Sequence, residues 1–436
     1  MITARLRSHE YMGQLWPFLR AQGRAHDPEW TELVRRLGEE GVALDGDPAA
    51  TESLGLLAAG GFVELHAGET ALVPCRQDFT LRADAVLAGT RWQVSRFTYM
   101  HYEAGQLVAR SPTADCFLRM NDPAAQRLLH SFREPREVAA PDADDPEVAD
   151  VTWLLARAGL IVPCGADGRS AEASDAKYRQ WDFHDLLFHS LARLGRTEKP
   201  IGGTFAFKGD IPSPPVLKPN PWIDRMLPLP RPDIAALFQQ DMPLTAAIES
   251  RRSVRQHSIV PPSMAQLGEF RFRAVRTRGV SSTPIGEFAS RPYPNGGACY
   301  EQEFYVTVDA CLDLPRGFYY YDSLHHGLCR ITGPGPDMEA LLEEASIATA
   351  RQGRPQILIT IASRFHRVGW KYRSMAYATQ LKNVGAIYQT MYLVATAMNL
   401  AGCGLGLGNT DRFCRMAGVD YLEEGSIGEF MLGRPL

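Results

Sequence analysis

Three guanidinium groups and one hydroxyl fall within five residues at Arg251, Arg252, Ser253 and Arg255. Guanidinium forks pair with phosphate oxygens at two points and a hydroxyl can complete the shell, so the run suits a phosphate; a solvated basic turn is the plain alternative. Further on, Arg291-Pro292-Tyr293-Pro294-Asn295-Gly296-Gly297-Ala298 places two glycines after a Pro-Asn turn. With no Cβ in the way, backbone there can approach a flat ligand, although an ordinary turn would use the same residues. A third run, Gly402-Cys403-Gly404-Leu405-Gly406-Leu407-Gly408-Asn409, spaces its glycines by two. It matches neither the G-x-G-x-x-G dinucleotide turn nor the G-x-x-x-x-G-K phosphate loop, so a pyridine nucleotide on a Rossmann fold is unsupported. Two readings remain: a Gly-rich strand edge lying along a ring system, or a helix end packed tightly.

These runs need elements to position them. Apolar spacing predicts a short helix over Leu244 to Ser250, just before the arginines, and a long amphipathic helix from about Ser374 to Leu400, just before the glycines. Strand-like runs lie at Glu303 to Val308, Gly317 to Tyr321 and Gln356 to Ile361. Mixed helices and strands imply an α+β catalytic domain over residues 243–436. Ahead of it, eight prolines in the 21 residues from Pro212 to Pro232 remove backbone donors and exclude regular helix or sheet there, within a Pro-rich connector expected over 171–242.

The first 165 residues carry a weak repeat, Leu56-Leu57-Ala58-Ala59-Gly60-Gly61-Phe62-Val63 against Leu154-Leu155-Ala156-Arg157-Ala158-Gly159-Leu160-Ile161. Each copy looks like a helix ending on a left-handed glycine and running into a strand, with Trp30 to Leu37 and Ala124 to Phe132 supplying a further helix. We expect two winged-helix-like modules, at 1–90 and 91–170. A DNA-reading helix should be basic, whereas Asp142, Asp144, Asp145, Glu147 and Asp150 lead into the second copy. Peptide or protein binding is the better expectation, with bracing of the catalytic domain as the alternative.

The net charge of −4 gives no general nucleic-acid signature, and no apolar stretch suggests a signal peptide or a membrane span, so a cytoplasmic protein is expected. Eight cysteines without a C-x-x-C pair read as free thiols. His184 with His189, and His325-His326, lack the spacing and companion ligands of a zinc site, so no metal is expected.

The order of the three runs, Arg-Arg-Ser-x-Arg, then Pro-x-Gly-Gly, then a late Gly-rich strand, resembles the nitroreductase-like flavoproteins. Within them the chain resembles the SagB-type dehydrogenases, through Trp181-Asp182-Phe183-His184-Asp185, Leu194-Gly195-Arg196 and Pro200-Ile201-Gly202-Gly203-Thr204. Trp370-Lys371-Tyr372-Arg373, Leu381-Lys382-Asn383-Val384-Gly385 and Tyr388-Gln389-Thr390 carry the likeness onward. It spans roughly Lys177 to the C-terminus, and the paired N-terminal modules are similar to those of azoline oxidases. The resemblance implies a central sheet flanked by helices and a homodimer with one FMN per site at the subunit interface. Arg251, Arg252, Ser253 and Arg255 would hold the phosphate and ribityl chain; Pro294, Asn295 and Gly296 would border the isoalloxazine; Gly406 and Gly408 would lie near its reactive edge. The family turn usually has Ser where this chain has Asn295. Many nitroreductases carry a basic C-terminal tail near the phosphate, where this sequence reads Arg434-Pro435-Leu436.

The resemblance also implicates Lys371 and Tyr372 in catalysis. Aromatising an azoline removes a proton from one ring carbon and a hydride from the next, so the site needs a base opposite the flavin. Free Tyr titrates near ~10 and Lys near ~10.4; an ammonium beside a phenol favours the phenolate, which makes Tyr372 the expected base and Lys371 its partner, with the reverse open. Three readings emerge. The first is an FMN-dependent oxidase of thiazolines or oxazolines in a peptide or carrier-bound chain, reoxidised by oxygen. The second is an NAD(P)H-dependent nitro- or quinone reductase. The third is a non-catalytic scaffold that brings a leader peptide to a cyclodehydratase partner.

Overall fold

The computed structural model describes residues 2–7, 12–44, 48–76, 79–81, 89–138, 146–284 and 286–436. The chain divides into two units, Met1–Ile201 and Gly202–Leu436. Asp142, Asp144 and Asp145 of the acidic run lie outside the described residues.

The second unit is built on a seven-stranded antiparallel sheet, in the order Met226–Pro228, Gly327–Thr332, Gly317–Asp322, Gln302–Val308, Ile357–Arg364, Glu424–Gly433 and Ala401–Leu405. The strand Gln302–Val308 is buried along its whole length, because alternate side chains enter different layers. Phe304, Val306 and Val308 meet Val384, Ile387, Met391 and Ala395, which form one stripe of the helix Ala376–Ala397. Tyr305 faces the other way, packing with Phe318 and Phe413. Arg271, on the helix Met264–Val275, is wholly buried over the Phe304 and Tyr321 rings, and none of its guanidinium nitrogens has a hydrogen-bond partner. Burial, which disfavours the charged form, draws its pKa down to about 10.

The proline density between Pro212 and Pro232 predicts no regular sheet, yet Met226–Pro228 is an edge strand, pairing Met226 with Cys329 and Pro228 with Gly327. An edge strand needs donors on one side only, and that is where proline is tolerated. The expected connector over 171–242 is also divided: residues through Ile201 fall in the first unit and the rest in the second.

In the first unit both halves of the repeat form as read. The helices Pro48–Ala59 and Pro146–Arg157 end at Gly61 and Gly159, both left-handed at φ 77° and 63°, and run into the strands Val63–Ala67 and Ile161–Pro163. The two strands enter different sheets, however. Val63–Ala67 belongs to a seven-stranded sheet that crosses the expected boundary at residue 90, because Thr70–Pro74 pairs with Cys116–Met120 and sets Leu72 opposite Leu118, both fully buried. A strand buried on both faces cannot leave an open edge, so the second half of the unit must complete the sheet of the first.

Candidate active site

The chemistry-bearing runs collect in two clusters of the second unit, both resting on the helix Ala376–Ala397. At its C-terminal part, Ser253 Oγ lies 2.9 Å from the Tyr392 hydroxyl, which also accepts the Gly404 amide at 2.8 Å. The Val254 amide donates to Gly402 O at 3.0 Å, so the arginine run lies against the Gly-rich strand Ala401–Leu405. Arg251 sits 5.0 Å from the Tyr392 ring centre, and Arg252 is exposed. Among the described residues, neither these two nor Arg255 has a carboxylate partner. Three guanidiniums without anions in one loop are an electrostatic cost that a bound anion would offset.

Gly406 and Gly408 follow that strand and are exposed, and a Cβ on Gly406 would meet nothing. One on Gly408 would strike the Glu429 carboxylate. That carboxyl, on the neighbouring strand, is pushed up to about 7 by burial, against a hydrogen bond from Ser426. A folded-state value above the unfolded one favours the protonated chain. The stability it gives is whole below the ordinary carboxyl range and is lost as pH rises through about 7. Glu429→Gln should therefore gain about 3 kcal/mol over the parent near pH 8 and about none near pH 4. Urea melts at the two pH values check this; an equal difference at both would refute it.

The other cluster forms where Gly296 N donates to Asn383 Oδ1 at 3.0 Å. A Cβ on Gly296 would lie 2.5 Å from Thr379 Cγ2, which explains the glycine. Asn295, expected to border a flat ligand, turns its side chain inward: Nδ2 donates to Glu301 Oε2 at 2.9 Å and to Gln302 Oε1 at 3.0 Å, while Oδ1 accepts the Tyr300 amide. Glu301 is fully buried and accepts Asn383 Nδ2 as well, at 2.8 Å. The asparagine thus serves the buried Glu301 carboxyl and the Gln302 amide oxygen together, whereas a serine has one donor. Pro294 is exposed beside it.

Lys371 and Tyr372 occupy the turn between the helices Phe365–Gly369 and Ala376–Ala397. Neighbours on a regular element diverge, but on this turn both side chains reach Gly297, which is left-handed at φ 65°. Lys371 Nζ donates to Gly297 O at 3.0 Å, and a Cβ on Gly297 would lie 2.9 Å from that nitrogen and closer still to the Tyr372 hydroxyl. Phe205, Ala298, Tyr300 and Ser374 around them also hold positive φ. Left-handed non-glycine residues carry strain that only surrounding structure maintains.

The ammonium beside the phenol predicts a phenolate. Instead burial, and after it the neighbouring Cys299, raise Tyr372 above the ordinary tyrosine value. Lys371 directs its proton to a backbone carbonyl rather than to the phenol. Cys299 is itself pushed to about 11 by burial and by Glu301, so it is a neutral thiol.

No sequence signal marks Glu301 or Glu429 as parts of these clusters. Tyr388 and Tyr392, four residues apart on one helix face, were the only readable hint.

The histidines hold loops: His326 pairs with the Tyr321 hydroxyl at 2.8 Å and with Pro230 O, and His325 with Asp322. Among the described residues no His, Cys, Asp and Glu cluster could hold a metal, and no helix is long and apolar enough to cross a membrane. All eight cysteines are free.

An antiparallel sheet flanked by helices, with glycine turns and unpaired arginines along one long helix, defines a nitroreductase-like α+β oxidoreductase. Residues 248–434 match the model of the nitroreductase family, and residues 92–198 match that of cyanobactin oxidase ThcOx. Residues 248–434 thus form a nitroreductase-like domain, and the segment before it is similar to an oxidase. The chain is 28% identical over 178 residues to a Methanocaldococcus jannaschii protein named "Putative nitroreductase MJ1384", covering 40% of this chain and 81% of that one. It is 30% identical over 132 residues to the trifolitoxin-processing protein TfxB of Rhizobium leguminosarum bv. trifolii, covering 30% of this chain and about a third, 35%, of that one. A chain of the E. coli microcin synthetase McbBCD complex, solved with truncated pro-MccB17, superposes with a TM-score of 0.36 at 18% identity, over 53% of this chain and 91% of that one.

Proposed function

We propose that the protein is an FMN-dependent oxidase that converts thiazoline or oxazoline rings of a peptide or carrier-bound substrate to azoles, with oxygen as the final acceptor. The observation that carries this is the convergence of Lys371 and Tyr372 on Gly297, within a nitroreductase-family domain that follows a segment matched to an oxidase. The processing role in the name of the Rhizobium relative supports a peptide substrate.

The residues present fit FMN. Arg251, Arg252 and Arg255 lack anionic partners and would hold the phosphate with Ser253, while Gly406 leaves open space that a Cβ would narrow. Pro294, Asn295 and Gly296 would border the ring, Asn295 through its backbone because its side chain is engaged. Gly408 would lie beside the ring edge, kept small by Glu429. Bound there, FMN supplies the hydride acceptor. The two clusters lie at different heights on one helix: Asn383 and Tyr392 are nine residues apart, about 14 Å of helix. Pairing of two chains, each giving one cluster to a shared flavin, accounts for that separation, and we propose a homodimer.

In this reading Lys371 holds the Gly297 carbonyl and steadies the turn. Tyr372, a neutral phenol in the resting protein, must lose its proton before it can accept the one that leaves the ring. The first unit would receive the peptide, and a cyclodehydratase would supply the azoline; the assembly would work in the cytoplasm.

A reductase remains the second reading, because the archaeal relative named as a nitroreductase is covered over most of its length. Yellow protein mixed without oxygen with an azoline peptide, and separately with NADPH, decides between them. Bleaching by the peptide supports the oxidase. Rapid bleaching by NADPH alone overturns it, and protein that holds no FMN after gentle purification favours a scaffold.

A further inference from the structure

The Lys371–Tyr372 turn is gripped by a segment that neither matched region includes. Residues 199–247 lie between the two, and within them Gly202 to Ile211 run alongside Trp370 to Arg373. The contacts repeat along the segment. Arg373 N donates to Gly202 O at 3.1 Å, Phe205 N to Lys371 O at 3.2 Å, and Trp370 Nε1 to Ile211 O at 2.7 Å. Arg367 fastens the residues after it, donating to Pro214 O at 2.8 Å and also to Cys299 O at 3.1 Å beside the glycine turn.

One side chain of this strap faces the ammonium. Phe205 stands edge-on to Trp370 at 5.8 Å and 82°, and its ring centre is 5.8 Å from Lys371 Nζ. Phe288, from the hairpin Gly279–Thr283 with Gly286–Ser290, lies 5.6 Å from the same nitrogen. These residues line a cavity of only about 20 Å³ behind Gly297. Lysine is a flexible four-carbon stem with a strongly hydrated head, and here two rings and one carbonyl flank that head. Phe205 keeps its place at φ 50°, a backbone conformation that a benzyl-bearing residue adopts only under constraint.

We propose that Phe205 is a positioning residue for Lys371, and that the strap Gly202–Ile211 fixes the lysine head at the Gly297 carbonyl. The proposal rests on the oxidase reading for its catalytic consequence, but its structural core is measured without turnover. In the full chain, acylation of Lys371 by an amine-reactive ester, read by peptide mass mapping, should run about tenfold faster in Phe205→Ala than in the parent. Phe205→Tyr, which keeps the ring, should restore the parent rate; Phe205→Leu, which keeps bulk without the ring, should behave like Phe205→Ala and serves if the alanine variant does not fold. Equal labelling in the parent and in a folded leucine variant overturns the proposal.

With FMN and an azoline peptide, the leucine variant should lose about tenfold in kcat, with KM changed less than about twofold, and tyrosine should rescue it. A change confined to KM would also overturn the proposal. If the parent does not turn over azolines while labelling still responds to the ring, the oxidase reading fails and the strap's role stands.

Discussion

On the oxidase proposal, the double variant Lys371→Ala, Tyr372→Phe should slow bleaching of the flavin by an azoline peptide without oxygen about 10²–10⁴-fold, the span that positioned acid–base groups contribute. FMN content and melting temperature stay near the parent's, because both side chains are only partly buried and end on a turn. The pH profile divides the roles. Tyr372 is raised above the ordinary tyrosine value by burial, so its phenolate fraction is small at neutral pH and grows with pH. If Tyr372 takes the ring proton, the bleaching rate climbs about tenfold per pH unit through the neutral range, and Tyr372→Phe flattens the climb. A pH-independent rate in the parent, lost only with Lys371→Ala, would reverse the assignment. Parent-like bleaching in both single variants would remove the pair from the mechanism.

Gly297→Ala should cost as much activity as that double variant, although it removes neither side chain. Its Cβ would occupy the point on which Lys371 Nζ and the Tyr372 hydroxyl converge, so both must move. A left-handed alanine adds about 1–2 kcal/mol of destabilisation. Gly418→Ala separates these effects. Gly418 is left-handed at φ 66°, ends the helix Thr410–Ala417, and a Cβ there would meet nothing. It should lose similar stability in a denaturant melt and keep parent-like bleaching. If the two alanine variants bleach alike, overlap at Gly297 is not what holds the pair.

Much of the scaffold around this point is legible in the sequence because local pattern decides it. The helix Leu244–Ser250 has the predicted bounds, and the strands Gln302–Val308, Gly317–Asp322 and Ile357–Arg364 lie on the predicted runs. The repeat is legible for the same reason, since a left-handed glycine after a helix is a local event. The strand Met226–Pro228 is less so. Proline argues against a sheet, and only the position of Gly327–Thr332 at the margin makes an edge strand there possible.

Residue types and their order therefore determined the α+β class, the helix that carries the site, and the runs that fit a phosphate and a flat ring. Tertiary structure alone decided how those runs are grouped and which way their side chains point. It turned Asn295 inward because a buried Glu301 needed donors, and it raised Tyr372 because burial, with Cys299 beside it, disfavours the phenolate. It joined residues 1–90 to the strand Cys116–Met120 because a strand buried on both faces required a partner. It also brought Lys371 and Tyr372 together, for chain neighbours can share a target only where an irregular turn and a glycine without a Cβ let them meet.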